Sequence, residues 1–358
     1  MTRVLIAPDS FGGWISAVEF CARVSRVLGQ LDGLQVDVLP LSDGGEGTTD
    51  CLLAHCDVPI ELTRLSAVGG QARDMRSLKL SDGRFFESAQ AIGLPAGHGS
   101  GKPLEWTTSA LGEWMLQWSS QPQIIGLGGS GTVDGGIGLL RTLGLDVLDR
   151  RGISVASGLP GIIEAASIVG SPHHFESVDV WCDVRTTSVD CIRRYGPQKG
   201  LPSSWIDAAT EGMKNWSVLL CEYGRHHGLS NLPIDLEGGG AAGGLGLALS
   251  AVFGASLQSG FTAFSNRTAL CARLEESDWV ICGEGQLDAG SFLGKPLGEV
   301  TRLARTHECG VIAVVGVAHQ VPEPPLGPDV VIEIGWEPTP DAALIRSLEY
   351  LVETMGWS

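Results

Sequence analysis

Acidic side chains follow several apolar segments of this 358-residue chain, each inside a short loop of small residues. In a parallel sheet the carboxyl ends of neighbouring strands share one edge, so these acids could converge on one site. Grouped carboxylates are costly unless a metal ion or substrate hydroxyls neutralise them, which indicates Mg²⁺ with phosphates, or a polyhydroxy substrate. For any one acid, a helix N-cap or a solvated turn is an equally good interpretation. The acids are Asp9, Asp43, Glu46, Asp134, Glu284 and Asp288.

The stretch 124–140, IIGLGGSGTVDGGIGLL, has the pattern of a strand, a tight turn and the start of a helix. Glycine lets the backbone approach a ligand closely, and the first N–H groups of a helix can hold an anion. We therefore expect a phosphate site formed by Gly128, Gly129, Ser130 and Thr132. The loops after the first two strands add Ser10, Gly44 and Gly45 as further binding candidates.

Two other interpretations of the same stretch stay open. Gly126, Gly128 and Gly131 match G-x-G-x-x-G, the dinucleotide fingerprint, with Asp146 and Asp149 roughly where a ribose-binding acid falls. That match has little specificity in a chain with 50 glycines. The turn could also need its glycines only to pack a strand against a helix.

A second glycine cluster, GGGAAGGLG at 238–246, opens an apolar helix and predicts phosphate contacts from Gly239, Gly243 and Gly244. Lys199 and Lys295 lie in turns that contain glycine and proline, and each could contact a phosphate as a point charge. An ordinary exposed lysine is the simpler interpretation of each. The sequence has no Walker A motif, no H-E-x-x-H and no G-x-S-x-G.

The composition narrows the class of protein. The chain has 24 basic and 41 acidic residues, a formal net charge of −17, which disfavours nucleic acid and anionic membranes as partners. Its nine cysteines include no CxxC pair, so we expect a reducing, cytoplasmic location. No apolar run is long enough for a transmembrane helix. We expect a monomer or homodimer that acts on a small molecule.

Short apolar strands alternate with helical patterns, which predicts an α/β fold with a parallel, doubly wound sheet. We expect two α/β domains with a cleft between them. Segments 1–57, 87–140 and 262–358 are expected to form a discontinuous Rossmann-like domain. Segments 58–86 and 141–261 are expected to form a smaller, inserted domain of mixed α/β structure.

Taken in order, the motifs resemble those of the bacterial glycerate kinase family, of the type that includes glyoxylate- and glucarate-pathway enzymes. The matching segments are VLIAPDSF, LPLSDGGEGT, TTSALGE, GLGGSGTVDGG, WCDV, YGPQKG, GGGAAGGLG, ICGEGQLD and GKPLGEV. They run from Val4 to Val300. The resemblance implies two α/β domains and transfer of the ATP γ-phosphoryl group to D-glycerate with Mg²⁺, giving 2- or 3-phosphoglycerate.

That reaction suggests a role for each group of candidates. The glycine segments 128–132 and 239–244 would cradle the ATP phosphates through backbone N–H groups. Lys199 and Lys295 would offset the phosphate charge. Most of the rate enhancement would come from positioning and electrostatics, as is usual for phosphoryl transfer.

The acids would act on the metal and on the acceptor. Asp43, Glu284 and Asp288 would hold Mg²⁺ or the glycerate hydroxyls. Asp134 or Asp183, the latter directly after a predicted strand, would orient the attacking hydroxyl and accept its proton.

The chain departs from the family pattern at several motif positions. Gly12 stands where the family has lysine, and Val133 where it has asparagine. Arg185 and Thr186 replace Asp-Asn, and Gln286 replaces a common arginine. Arg185 could replace one of the lost charges. These departures leave open a kinase for another small hydroxy acid or a silent ligand-binding relative. The G-x-G-x-x-G match leaves open a nicotinamide oxidoreductase.

Overall fold

The computed structural model describes residues 1–94, 102–228, 231–335 and 340–357. Within those ranges the chain forms thirteen strands and thirteen α-helices. The strands are β1 (Thr2–Ile6), β2 (Leu34–Val38), β3 (Ile60–Ser66), β4 (Ala72–Lys79), β5 (Arg84–Glu87), β6 (Gln123–Leu127), β7 (Leu145–Leu148), β8 (Ser167–Gly170), β9 (Val178–Cys182), β10 (Ser256–Ser259), β11 (Trp279–Leu287), β12 (Gly310–Ala318) and β13 (Val330–Glu333). The helices are α1 (Ala17–Leu28), α2 (Thr48–Leu53), α3 (Ala89–Ile92), α4 (Ser109–Leu116), α5 (Ile137–Thr142), α6 (Leu159–Glu164), α7 (Ser188–Tyr195), α8 (Ser203–His226), α9 (Ala241–Phe253), α10 (Gly260–Thr268), α11 (Leu270–Glu275), α12 (Pro296–Thr306) and α13 (Pro340–Met355).

The chain divides into two compact units. The first unit consists of Met1–Asp43, Asp50–Asp57 and Phe261–Ser358, and the second of Gly44–Thr49 and Val58–Gly260. Each unit has its own sheet and its own apolar core.

The sheet of the first unit has the order β13-β12-β11-β1-β2, and all its strand pairs are parallel. From β1 the chain continues on one side to β2, whereas β11, β12 and β13 follow each other on the other side. The strand order therefore reverses between β1 and β11. In open α/β sheets, ligands bind at the carboxyl ends of the strands beside such a switch point.

Helix α1 shows how the sequence builds this unit. Ser16 accepts a hydrogen bond from the amide of Glu19, and the Glu19 carboxylate accepts from the amide of Ser16, which is a capping box. Phe20 and Val24 lie on its buried face, with the four-residue spacing of an amphipathic helix. Both belong to the core that this helix shares with the sheet.

The main sheet of the second unit has the order β10-β9-β6-β5-β4-β3. The pairs among β5, β6, β9 and β10 are parallel, whereas β3, β4 and β5 pair antiparallel. Strands β7 and β8 form a separate antiparallel pair. Since β5, β6 and β9 are parallel neighbours, the residues at their carboxyl ends lie along one edge: Glu87, Gly128 and Asp183.

The predicted fold class, two α/β units with a parallel sheet, is confirmed. The domain assignment of segment 87–140 needs correction, because β6 in that segment pairs with β5 and β9 of the second unit. The inserted unit is consequently the larger of the two, not the smaller. The predicted segments also contain residues 95–101, 229–230, 336–339 and 358, which lie outside the described residues.

Among the helices that the structure describes, none combines the length and the apolar character needed to cross a membrane.

Candidate functional site

Carboxylates of the first unit meet at the switch point of its sheet. Asp9 follows β1, and its amide donates to the carbonyl oxygen of Gly283 in β11 at 2.8 Å. Glu284, the next residue of β11, is 6% exposed. Asp43 comes after β2, and its charge acts on both Asp9 and Glu284. The structure therefore brings together three of the predicted site residues.

The electrostatics of this cluster are those of excess negative charge. Burial raises the pKa of Asp9 well above its ordinary value, and the charge of Asp43 raises it further. Burial also raises the pKa of Glu284 to about 7, although a hydrogen bond from Ser291 and the charge of Lys295 lower it. Lys295, the exposed N-cap residue of α12, lowers the pKa of Asp9 as well. Oε1 of Glu284 is buried without a hydrogen-bond partner among the described residues.

Asp288 and Ser10 have local roles next to this cluster. Asp288 is the N-cap of the 3₁₀ helix Ala289–Phe292, and its Oδ1 accepts from the amide of Gly290 at 2.7 Å. Its Oδ2 accepts from Nε2 of Gln286 at 2.9 Å. The N-cap interpretation is therefore correct for Asp288. Ser10 is exposed, and its amide donates to Oδ1 of Asp9 at 2.7 Å.

The predicted metal set, Asp43, Glu284 and Asp288, stays a prediction. Across the described ranges, no three or more His, Cys, Asp or Glu side chains are arranged to hold a metal ion. Each oxygen of Asp288 accepts one hydrogen bond from its own turn, so Asp288 has a local structural role in this structure.

Lys199 of the second unit lies in a short 3₁₀ turn after α7 and is 7% exposed. Its Nζ donates to Oγ of Ser130 and to the carbonyl oxygen of Thr132, both at 2.9 Å. Burial lowers the pKa of Lys199 to about 8, whereas Cys191 and Asp183 raise it. A buried cation therefore lies directly against residues 128–132, called the first glycine run here.

The loops after β6 and β9 pack closely on the segment that precedes α2. A Cβ atom on Gly128 would lie 2.9 Å from Oδ2 of Asp183 and would overlap the backbone of Gly45, so only glycine fits there. Gly129 is exposed at φ +64°, and a Cβ on it would lie 3.1 Å from Cβ of Glu46. The structure thus brings five predicted residues together: Gly45, Glu46, Gly128, Gly129 and Asp183.

Asp134 is the interior residue of this region. It is 0% exposed. Its Oδ2 accepts from the hydroxyl of Thr107 at 3.0 Å, the amide and hydroxyl of Thr108 at 2.8 and 3.0 Å, and the amide of Gly138 at 3.1 Å. Oδ1 accepts from the amide of Gly136 at 3.1 Å. This enclosed carboxylate holds the start of α5, which argues against the predicted role of Asp134 as proton acceptor.

The second glycine cluster also differs from its prediction. The amide of Gly239 donates to Leu236, and the amides of Gly243 and Gly244 both donate to Gly240. These glycines are buried. Their N–H groups are therefore used within the protein, so the cluster packs the start of α9 and does not offer those amides to a phosphate.

Glu87, which was not among the predicted site residues, ends β5 and is 5% exposed. Its carboxylate accepts from the amides of Gly47 at 3.0 Å and Thr49 at 2.8 Å. Gly44, in the same loop as Gly47 and Thr49, has φ +91° and fits closely against Trp181. The available signal was an acid at the end of an apolar strand, the same signal that identified the other acids.

The departures from the family motifs have structural consequences. Arg185 forms an ion pair with Glu237, so its guanidinium already has a carboxylate partner. Val133 is buried in the core of the second unit. Gly12 has φ +58°, and a Cβ there would meet no described atom within 4 Å.

Comparisons with known proteins agree with one another. Residues 4–355 match the model of the glycerate kinase family. A glycerate kinase of Bacillus subtilis (strain 168) is 31% identical over 332 residues, 88% of this chain and 85% of that protein. A glycerate 2-kinase of Escherichia coli (strain K12) is 30% identical over 341 residues, 89% of this chain and 88% of that protein.

A solved structure extends the likeness to three dimensions. The crystal structure of a protein from Salmonella typhimurium LT2, assigned as a glycerate kinase 2, superposes with a TM-score of 0.74 at 30% identity. The match covers 99% of this chain and 96% of that one. With the family model matching nearly the whole sequence, this chain belongs to the glycerate kinase family.

Proposed function

We propose that this protein is an ATP-dependent kinase that transfers the γ-phosphoryl group of ATP to a hydroxyl of D-glycerate, giving 2- or 3-phosphoglycerate. The observation that carries the proposal is the family match over residues 4–355. Relatives named glycerate kinase support the choice of acceptor. Residue types at the sites of both units are compatible with phosphoryl transfer.

Residues of the second unit would handle phosphate and the attacking hydroxyl. The glycine run at Gly128 and Gly129, with Ser130 and the buried Lys199, offers backbone and a cation to a polyphosphate. Asp183 beside Gly128 would orient the acceptor hydroxyl and take its proton. With Asp134 enclosed, Asp183 is the better supported of the two acids that the sequence proposed.

Residues of the first unit fit Mg²⁺ in their chemistry. Glu284 has a buried oxygen without a partner in the described chain, and Asp9 and Asp43 add negative charge next to it. The lack of a complete cage is compatible with Mg²⁺, which usually takes one or two protein carboxylates and keeps its waters. Mg²⁺, when bound, neutralises developing phosphate charge. Lys295 would add a point charge at the start of α12.

The direct test is release of ADP by the purified protein with Mg²⁺, ATP and D-glycerate. We expect release that depends on D-glycerate, together with a phosphoglycerate product whose phosphorylated position can be determined. Absence of turnover, together with no protection by ATP against thermal unfolding, would reject the kinase proposal.

A second candidate is phosphorylation of another small hydroxy acid. It is favoured by two departures: the uncharged Gln286 stands where the family commonly has arginine, and the Arg185 guanidinium is paired with Glu237. A panel of hydroxy acids in the same ADP-release assay separates the two. A higher kcat/KM for another acid than for D-glycerate would establish the second candidate.

A further inference from the structure

Residues Gly44–Thr49, named the crossing loop here, belong to the second unit although both sequence neighbours, Asp43 and Asp50, belong to the first. The loop packs against the first glycine run. The backbone of Gly45 lies directly on Gly128, where a side chain would overlap it. Its position therefore bears on the proposed phosphate site.

Two polar side chains hold this loop, Glu87 at the end of β5 and Gln90 in α3. Both carboxylate oxygens of Glu87 are used, since Oε1 accepts from the amide of Gly47 and Oε2 from the amide of Thr49. A buried carboxylate that accepts two backbone N–H groups makes strong, charge-assisted hydrogen bonds. These two bonds fix the loop at its last residues, where α2 begins.

Gln90, one turn further on, holds the same loop through a side chain. Its Nε2 donates to Oγ1 of Thr49 at 3.2 Å. Gln90 is itself fixed to β4, because its Oε1 accepts from the amide of Arg76 at 2.7 Å and its Nε2 donates to the Arg76 carbonyl oxygen at 3.2 Å. This exchange sets the orientation of the amide, so Gln90 connects the loop to the sheet.

We propose that Glu87 and Gln90 are positioning residues that hold the crossing loop on the first glycine run and thereby keep the nucleotide-binding conformation populated. The kinetic consequence rests on the proposed function, whereas the ordering of the loop does not. If only the ordered fraction of molecules binds nucleotide, loss of either contact raises the apparent KM for ATP, and saturating ATP restores kcat.

Amide hydrogen exchange tests the ordering directly. In Glu87→Gln, an N–H₂ group replaces an acceptor, and we expect peptides covering residues 44–53 to exchange about tenfold faster or more. In Thr49→Val, which removes only the bond to Gln90, and in Gln90→Leu, which removes that bond and both bonds to Arg76, Glu87 is kept, and we expect a smaller change in the same peptides. The Gln90→Leu/Thr49→Val double variant should behave like Gln90→Leu alone, because the bond that Thr49→Val removes is already lost in Gln90→Leu.

Steady-state kinetics test the consequence. We expect about a fivefold or larger increase of the KM for ATP in Glu87→Gln, with kcat changed less than twofold. The matched control is Ser188→Ala, which removes a buried hydrogen bond to Ser217 elsewhere in the same unit. It should lower the thermal stability without raising the KM.

The exchange and kinetic results test the ordering of the loop and its role in nucleotide binding separately. Unchanged exchange of the 44–53 peptides in Glu87→Gln and in Gln90→Leu would overturn the proposal. If Glu87→Gln does not fold, Gln90→Leu and Thr49→Val decide it. Faster exchange with an unchanged KM would overturn the nucleotide role. An inactive wild-type protein would reject the proposed function, and the exchange comparison would still decide whether these residues order the loop.

Discussion

Asp183 lies beside the glycine run, whereas Asp134 accepts five hydrogen bonds inside the second unit, so the same substitution should affect them differently. Asp183→Asn should lower kcat by about 10²-fold or more while the unfolding midpoint in urea stays close to wild type. Asp134→Asn should lower the free energy of unfolding by about 3 kcal/mol, because its amide nitrogen would face N–H and O–H donors.

Both variants are measured by kcat and by urea unfolding. If Asp183→Asn keeps the kcat of the wild type, Asp183 is not the proton acceptor. An Asp134→Asn protein that is fully stable but inactive would restore the role that its burial argues against.

Lys199 should couple activity and stability to pH with opposite signs. Its pKa is about 8 in the folded protein, below the ordinary 10.5, because burial disfavours the charged form. Between those two values the unfolded chain binds the additional proton, so the contribution of Lys199 to the free energy of unfolding rises with pH. Phosphate binding needs the charged form, so kcat/KM for ATP should fall above about pH 8, by up to about tenfold per pH unit.

The control for this prediction is Lys199→Arg, whose guanidinium stays charged across the range. Its pH profile should lack the decline above pH 8, even if its rate is lower. A decline identical to that of wild type would assign the titration to another group. From pH 8 to 10, the free energy of unfolding of the wild type should increase relative to that of Lys199→Met.

Among the helices, α12 ends with a strained residue that offers a stability test. Glu308, just after the C-cap His307, has φ +55°, a left-handed conformation that favours glycine. Glu308→Gly should raise the free energy of unfolding by about 1 kcal/mol. Glu222→Gly, inside α8, should lower it by about 1 kcal/mol in the same urea titration. Destabilisation by Glu308→Gly would contradict the strain argument.

At the level of elements, the alternation of strands and helices was predictable from the sequence, but which strands pair with each other was not. The loop after β6 contains acids and glycines like the loops after β1 and β11. Because of that similarity, we predicted that β6 belongs to the same sheet as β1 and β11, which is wrong. Partnership depends on pairing across long sequence separations, here between β6 and both β5 and β9. No local pattern reports that pairing.

The roles within the site were predictable only in part for a similar reason. Residue type and spacing identified Lys199 and the first glycine run, which the structure brings into contact. They could not distinguish the buried Asp134 from Asp183, or reveal that the amides of Gly243 and Gly244 bond within their own turn. Glu87 was missed because its function depends on which amides the fold places near it.

For the molecule as a whole, the net charge of −17 makes local cations important for any polyphosphate substrate. Lys199 in the second unit and Lys295 in the first are two cations that lie beside predicted site residues. Under the proposed function, each would offset phosphate charge during phosphoryl transfer.

The most direct measurement of that chemistry is phosphorus NMR of the purified protein with Mg²⁺, ATP and D-glycerate. Our account predicts that a phosphoglycerate signal grows as the ATP γ-phosphate signal disappears, and that both changes stop when D-glycerate is omitted. ATP that persists unchanged, or that yields only inorganic phosphate with D-glycerate or any other hydroxy acid present, would contradict it.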